Sequence, residues 1–194
     1  MKKDDTRNHI LDTAIDLFWS KSYHGMNMNQ LSREAGVNKA TVYQHFTSKE
    51  ALAVAAVKRV AERTEAFVYQ STFAETDEPK ERLERIYQKV FQMYQGIYDA
   101  DGKCRGCPVV NIGVELSTSS EVIRRSVEQA FASYEQYYGQ IVDAQGTLPS
   151  GFDRQDTIAA LMANMNGALV ASKLENRPGA ILDGGRRALQ LLAM

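Results

Sequence analysis

Two cysteines, Cys104 and Cys107, stand three residues apart in the sequence. The C-x-x-C spacing is used in zinc sites, in dithiol oxidoreductases and in redox-sensing proteins. A zinc site needs two further Cys or His ligands, and all three histidines lie within the first 45 residues. The pair therefore gives weak support to zinc, and we expect neither a metal nor a cofactor.

Cys107 is placed to be reactive because it begins a predicted helix, with Pro108 at the first helical position. The free N–H groups at that helix start, together with Lys103 and Arg105, favour the thiolate over the thiol. We hypothesise that Cys107 is a sensor thiol, and an inert buried cysteine is the alternative. A thiol–disulfide oxidoreductase is disfavoured, because that motif usually lies between a strand and a helix and no strand is predicted.

A second group of polar side chains lies on one short predicted helix, Lys39 to Phe46. The apolar residues of this helix share one face and leave five hydrogen-bonding side chains on the solvent face. These five are Lys39, Thr41, Tyr43, Gln44 and His45. Side chains of these types donate hydrogen bonds to phosphate oxygens and to the edges of bases. The helix is therefore a candidate for contact with DNA.

The residues around this helix have the spacing of a helix-turn-helix. Such a unit packs two short helices at a steep angle, and it needs a small residue in the first helix and a glycine in the turn. Ser32 and Gly36 meet these needs, and Asn27 and Asn38 are good N-caps. Apolar residues are expected to join both helices to the first helix of the chain, about Thr6 to Lys21. They are Leu17, Phe18, Leu31, Ala35, Val37, Val42 and Phe46.

The whole chain has a helical pattern, because apolar residues recur three and four positions apart and no stretch alternates with a period of two. A long helix is predicted from Ser48 to about Thr72, and five further helices follow it. The prediction is an all-α protein of about nine helices. An N-terminal three-helix helix-turn-helix domain is expected over residues 1–54, and a C-terminal helical domain over residues 55–194.

Composition and charge are those of a globular protein with a basic N-terminal part. The chain has 194 residues, of which 44% are hydrophobic and 24% are charged. Residues 1–60 carry nine Lys/Arg against six Asp/Glu, a net charge of +3, and the remainder carries fourteen against eighteen, a net charge of −4. A basic N-terminal part suits contact with phosphate. No signal peptide or membrane span is predicted, so we expect a cytoplasmic protein without a membrane partner.

The segment from Gly25 to Leu52, GMNMNQLSREAGVNKATVYQHFTSKEAL, resembles the DNA-binding segment of TetR-type repressors. The resemblance is strong over residues 7–55. It implies that Thr41, Tyr43 and His45 touch the DNA backbone and that Lys49 holds a phosphate. It also implies base reading by Lys39, Ala40 and Gln44, with Asn27 and Asn29 at the opposite edge of the motif. The family usually carries Thr or Ser just after the glycine, where this chain has Met26 and Asn27.

The same resemblance implies that the second domain binds an effector and forms a homodimer. Small and apolar residues on the last two helices fit a four-helix interface between two subunits. The expected ligand residues are Tyr94, Tyr98, Cys107, Asn111, Glu115, Tyr134 and Asn164, with Met93 and Met165 close by. Gly106 and Cys107 followed by Asn111 also resemble a subgroup of TetR-type regulators, some of which respond to electrophiles or oxidants.

The sequence therefore predicts a DNA-binding transcriptional regulator and no enzyme. We expect a repressor that binds double-stranded operator DNA as a homodimer and is released by a small-molecule or electrophile effector. Effector binding after residue 75 is expected to move the long helix and change the spacing of the two DNA-binding heads. The alternative is an all-helical interaction protein with a vestigial head, which the presence of Tyr43 and Lys49 disfavours.

Overall fold

The computed structural model describes residues 3–148 and 150–193. Over these residues the secondary structure consists of ten α-helices and one π-helical turn, without a strand. The α-helices are α1 (Lys3–Gly25), α2 (Met28–Glu34), α3 (Lys39–His45), α4 (Lys49–Thr64), α5 (Ser71–Glu75), α6 (Pro79–Asp101), α7 (Pro108–Leu116), α8 (Glu121–Gln145), α9 (Arg154–Leu174) and α10 (Ala180–Ala193).

A π-helical turn, Glu65–Gln70, joins α4 to α5 without a break. The three segments form the long helix that the sequence predicts from Ser48, and it ends at Glu75, beyond the predicted Thr72. If this run is counted as one helix, the described residues contain nine, so the prediction of an all-α fold of about nine helices is confirmed. The π turn itself is not visible in the sequence, because the apolar spacing of one widened turn differs little from that of an α-helix.

The helix ends follow local chemistry. Pro79 occupies the first turn of α6, where its missing N–H leaves no bond unmade, and Gly102 ends the helix in the left-handed conformation with φ of 70°. Asp153 and Asp156 form a reciprocal capping box at the start of α9. The bend near the end of α1 lies at Ser22, one residue before the predicted break.

The described chain divides into two compact units. The first comprises the chain up to Glu62 together with Pro108–Ala130. In this unit α1 packs against α2 and α7, and α2 packs against α3. The first unit thus includes α7, which packs against α1, and the part of α8 up to Ala130. The boundary between residues 54 and 55 stays a prediction.

The second unit comprises Arg63–Cys107 and the chain from Phe131 onward. In it α10 packs on both α9 and α6. The approach is close because Gly184 and Gly185 face Tyr87 and Ala168 without a side chain of their own. No helix in the described ranges is long and apolar enough to cross a lipid bilayer.

Candidate DNA-binding surface and effector cavity

The helix α3 is short and depends on its ends for stability. The Oδ1 atom of Asn38, its N-cap, accepts hydrogen bonds from the Thr41 backbone N–H at 2.8 Å and from the Thr41 hydroxyl at 3.0 Å. Of the seven residues described for α3, Val42 alone is buried. The following Phe46 is also buried and donates its backbone N–H to the Val42 carbonyl. The helix is therefore seated through one side chain and its two caps.

The turn before α3 has the geometry that its glycine predicts. Gly36 has φ of +63°, in the left-handed region that favours glycine. The Asn27 side chain caps α2 by accepting from the Gln30 backbone N–H at 2.9 Å, and Met26 is fully buried. Asn27 and Met26 thus have structural roles at the places where the family usually carries Thr or Ser, while Asn29 is exposed on α2.

The solvent face of α3 carries the predicted contact residues. Lys39, Ala40, Tyr43 and Gln44 are exposed, and Thr41 and His45 are half-buried. Tyr43 is 42% exposed, and the Lys39 ammonium lies 5.9 Å from the centroid of its ring. No Asp or Glu occurs between Lys39 and His45. This face therefore offers donors, without a carboxylate that would repel phosphate.

Lys49 lies at the start of α4, and its side chain contacts other residues of the first unit. Its Nζ donates to the Met26 carbonyl at 2.5 Å and lies 4.3 Å from the centroid of the Tyr23 ring. Partial burial lowers the pKa of Lys49, and the carboxylate of Glu115 opposes that shift. The lysine that the family resemblance assigns to phosphate is thus fixed in direction before any DNA is bound.

The second unit contains a cavity with a free volume of about 40 Å³. It is lined by Thr64, Tyr69, Val90, Met93, Tyr94, Cys107, Phe131, Tyr134, Tyr138, Met162, Met165, Asn166 and Leu169. None of these thirteen side chains is a carboxylate, an ammonium or a guanidinium. The cavity is therefore neutral and mainly apolar, with a few hydroxyl groups, one amide and one thiol.

Tyrosines make up much of the cavity wall. The Tyr69 ring stacks on the Tyr134 ring with centroids 5.0 Å apart, and the π-helical turn carries Tyr69. Burial, followed by the neighbouring Cys107, raises the pKa of Tyr94. Burial also raises the pKa of Tyr138. These hydroxyls stay protonated at neutral pH and can donate hydrogen bonds to a bound molecule.

Three of the seven predicted ligand residues lie in the cavity wall, namely Tyr94, Cys107 and Tyr134. The other four, Tyr98, Asn111, Glu115 and Asn164, are not among its lining residues. Asn164 instead accepts a hydrogen bond from the Tyr87 hydroxyl at 2.8 Å. Asn166, two residues further along α9, lines the cavity in its place.

The other eight lining residues were not predicted from the sequence, and they are Thr64, Tyr69, Val90, Phe131, Tyr138, Met162, Asn166 and Leu169. Residues that are two positions apart on an α-helix are separated by about 200° around the helix axis. Asn164 and Asn166 therefore point in nearly opposite directions. In the sequence, each asparagine interrupts a stripe of apolar residues in the same way. Only the direction in which α9 packs decides which of the two lines the cavity.

The two cysteines have different surroundings. Neither cysteine is part of a disulfide. Cys104 is buried, burial raises its pKa, and its backbone N–H donates to the Asn176 side chain at 2.8 Å. Cys107 is half-buried and lines the cavity. The cavity is thus open to the thiol of Cys107, as the sensor hypothesis requires.

One face of α9 is exposed although it is apolar. Ala163, Gly167, Val170 and Leu174 follow one another at spacings of three and four residues, and all are exposed. Leu174 is 80% exposed and Val170 is 42% exposed. A stripe of small residues that ends in two larger apolar side chains permits close approach of another helix.

Comparison with known families places both parts of the chain. Residues 10–56 match the family described as bacterial regulatory proteins, tetR family. Residues 79–189 match the family described as tetracyclin repressor-like, C-terminal domain, and this match alone covers more than half of the chain.

Individual relatives agree with these matches. YxaF of Bacillus subtilis strain 168, an uncharacterized HTH-type transcriptional regulator, is 29% identical over 89% of this chain and 83% of its own length. DhaR of Mycobacterium sp. strain GP1, an HTH-type transcriptional repressor, is 24% identical over 90% of this chain and 86% of its own length. A TetR family transcriptional regulator from Agrobacterium tumefaciens has the same fold, with a TM-score of 0.82, 19% identity and coverage of 97% of this chain and 98% of its own.

Proposed function

Since this chain belongs to the TetR family of bacterial regulatory proteins and is a DNA-binding transcriptional regulator, we propose that it is a repressor released from its operator by an effector bound in its cavity. The observation that carries the proposal is the solvent face of α3, with exposed donors and no carboxylate. Among the relatives, DhaR is a repressor.

Two subunits are required for specific binding. A helix of seven residues such as α3 is roughly 10 Å long and covers only a few base pairs of one major groove. A homodimer presents two such helices to two half-sites. The exposed stripe of α9 supports pairing of α9 and α10 with the same helices of a second subunit, because close helix contact would bury Val170 and Leu174.

The effector class follows from the cavity wall. A charged molecule would lose its hydration there without gaining an ionic partner, so a neutral ligand is favoured. Stacked tyrosines and three methionines suit a flat apolar molecule with a hydrogen-bond acceptor. The cavity is narrow, about 40 Å³, so an effector of ordinary size must displace side chains of the wall. This displacement can link effector binding to release from DNA.

The experiment that tests the function is fluorescence-anisotropy binding to the DNA upstream of the protein's own gene. It is run at two salt concentrations, with unrelated DNA as competitor. A specific regulator binds tightly, resists the competitor and weakens as salt rises. Weak binding that any DNA displaces equally, before and after unfolding and refolding to strip a bound ligand, would favour the interaction-protein alternative.

Two substitutions on α3 are expected to weaken DNA binding in different ways. Tyr43→Phe removes a hydroxyl predicted to contact the backbone, so affinity for operator and for unrelated DNA should fall alike, by roughly fivefold. Gln44→Ala removes an amide predicted to read a base, so operator affinity should fall roughly tenfold and affinity for unrelated DNA should not change. Anisotropy with both DNAs measures each effect. Equal losses on both DNAs for Gln44→Ala would rule out base reading by Gln44.

We also propose that Cys107 makes the regulator sensitive to electrophiles. Addition of a small thiol-alkylating electrophile is expected to lower operator affinity about tenfold or more, because alkylation of Cys107 adds atoms to an already narrow cavity. Cys107→Ser should abolish this response, whereas Cys104→Ser should keep it, since Cys104 is buried outside the cavity wall. Operator anisotropy before and after treatment measures the response. If the electrophile still released the Cys107→Ser variant fully from operator DNA, the sensor hypothesis would be wrong.

A further inference from the structure

The end of α1 contains a strained residue. Ser22 has φ of 65° and ψ of 173°, a backbone conformation that glycine adopts and that a residue with a Cβ atom rarely adopts. Such a conformation persists only where surrounding contacts hold it. The chain bends here, between the body of α1 and the start of the helix-turn-helix.

The two shortest hydrogen bonds of the backbone N–H groups in the bend are made to one carboxylate. Glu115, on α7, accepts the backbone N–H of Tyr23 at 2.9 Å and the backbone N–H of His24 at 2.8 Å. Burial acts to raise the pKa of Glu115, but hydrogen bonds from His24, Tyr23 and the Ser22 side chain outweigh it and leave the pKa below its ordinary value. The carboxylate is therefore ionised at neutral pH and binds both N–H groups that the bend exposes.

The bend also places the two groups that hold Lys49. The ring of Tyr23 stacks on Phe18 with centroids 5.7 Å apart, and the Lys49 ammonium lies 4.3 Å from the Tyr23 ring centroid. The Met26 carbonyl, four residues after Ser22, accepts from Lys49 at 2.5 Å. The direction of the Lys49 side chain therefore depends on the path of the chain between Ser22 and Met26.

We propose that Glu115 is a positioning residue for DNA binding: its carboxylate holds the strained bend at Ser22, and the bend in turn directs Lys49 toward the DNA backbone. The inference rests on the proposed function, because it takes Lys49 as a phosphate contact. Glu115 itself touches no DNA in this arrangement and acts through Tyr23 and Met26.

The proposal and simple electrostatics predict opposite changes in DNA affinity when Glu115 is replaced. Glu115 is a negative charge in the unit that carries α3, so its removal should strengthen DNA binding if charge alone matters. If Glu115 positions Lys49, its removal should weaken binding. The substitution Glu115→Gln keeps the size of the side chain while removing the charge and one of the two acceptor oxygens.

The test uses five forms of the full-length protein: wild type, Glu115→Gln, Ser22→Gly, the double variant and the control Glu62→Gln. Glu62 is an exposed glutamate of the same unit, and it takes no part in the hydrogen bonds that Glu115 makes with Tyr23 and His24. Glu115→Gln is expected to weaken operator binding at least about tenfold, as the loss of charge-assisted hydrogen bonds implies. Ser22→Gly should bind as wild type. In the double variant glycine adopts the bend without strain, so affinity should return to within about threefold of wild type.

Operator anisotropy gives the affinities, and circular dichroism with thermal unfolding checks that each variant is folded. The salt dependence is a second readout, because loss of one phosphate contact should reduce the slope of log K against log salt by about 1 in Glu115→Gln. Folded Glu115→Gln that binds as tightly as wild type, or a folded double variant as weak as Glu115→Gln, would overturn the inference. Failure of the wild type to bind its upstream DNA would overturn the proposed function itself, and the inference with it.

Discussion

Replacing Val42 with aspartate is expected to abolish operator binding and to lower the free energy of unfolding by at least about 3 kcal/mol. Val42 is fully buried, and it is the one buried side chain among the described residues of α3. A carboxylate at this fully buried position would lose its hydration, so the folded state must expose it. Exposure requires α3 to move away from α2, and the exposed face of α3 loses its position with it.

Thermal unfolding by circular dichroism and operator anisotropy measure the two effects of Val42→Asp. Gln44→Asp is the matched control for stability, because it introduces the same charge two residues away on an exposed position of the same helix. Its unfolding free energy should stay within about 0.5 kcal/mol of wild type. An unchanged unfolding temperature for Val42→Asp would show that α3 is held by its caps and does not depend on Val42.

A matched pair of glycine substitutions is expected to change stability in opposite directions. A Cβ atom at Gly184 would lie 2.5 Å from the Ala168 Cβ and 3.3 Å from the Tyr87 ring, so Gly184→Ala must push α10 away from its neighbours. The expected loss is about 1–3 kcal/mol. At Gly96, on α6, the added Cβ has no atom within 4 Å apart from its chain neighbours and the backbone of its own helix. Gly96→Ala should therefore stabilise the helix, by up to about 1 kcal/mol.

Thermal unfolding gives the sign of both changes, and sedimentation velocity gives the oligomeric state. If α9 and α10 form the dimer interface, Gly184→Ala should also weaken dimerisation and lower operator affinity, whereas Gly96→Ala should change neither. Gly184→Ala with wild-type stability would mean that α10 can shift without loss of packing. A wild type that sediments as a monomer at micromolar concentration would contradict the proposed dimer.

The helices and the DNA-binding face could be predicted from the sequence because their signals are local. Asn38 caps α3, Gly36 supplies the positive φ of the turn, and Pro79 marks the start of α6. Each of these effects involves residues within one helical turn. The exposed face of α3 follows from the same periodicity that buries Val42.

The cavity wall and the division into units were decided by tertiary packing. Periodicity shows that asparagines interrupt the apolar face of α9, but the direction of packing places Asn166 in the cavity and Asn164 against Tyr87. Likewise α7 follows the loop of the second unit in the chain, yet it packs with α1. The free energy of burying apolar surface depends on which faces meet, and no local pattern records that choice.

Glu115 shows most clearly which contacts could not be predicted from the sequence. The sequence places it four residues after Asn111 on one helix face and suggests a ligand contact. In the structure its carboxylate binds backbone N–H groups more than ninety residues earlier in the chain, at a bend for which the sequence has a serine and no glycine. The sequence by itself determined that α3 is a helix and which side chains it exposes. The tertiary structure alone decided how the bend before the helix-turn-helix is held, because a strained backbone is stable only when a distant group satisfies the donors that it exposes.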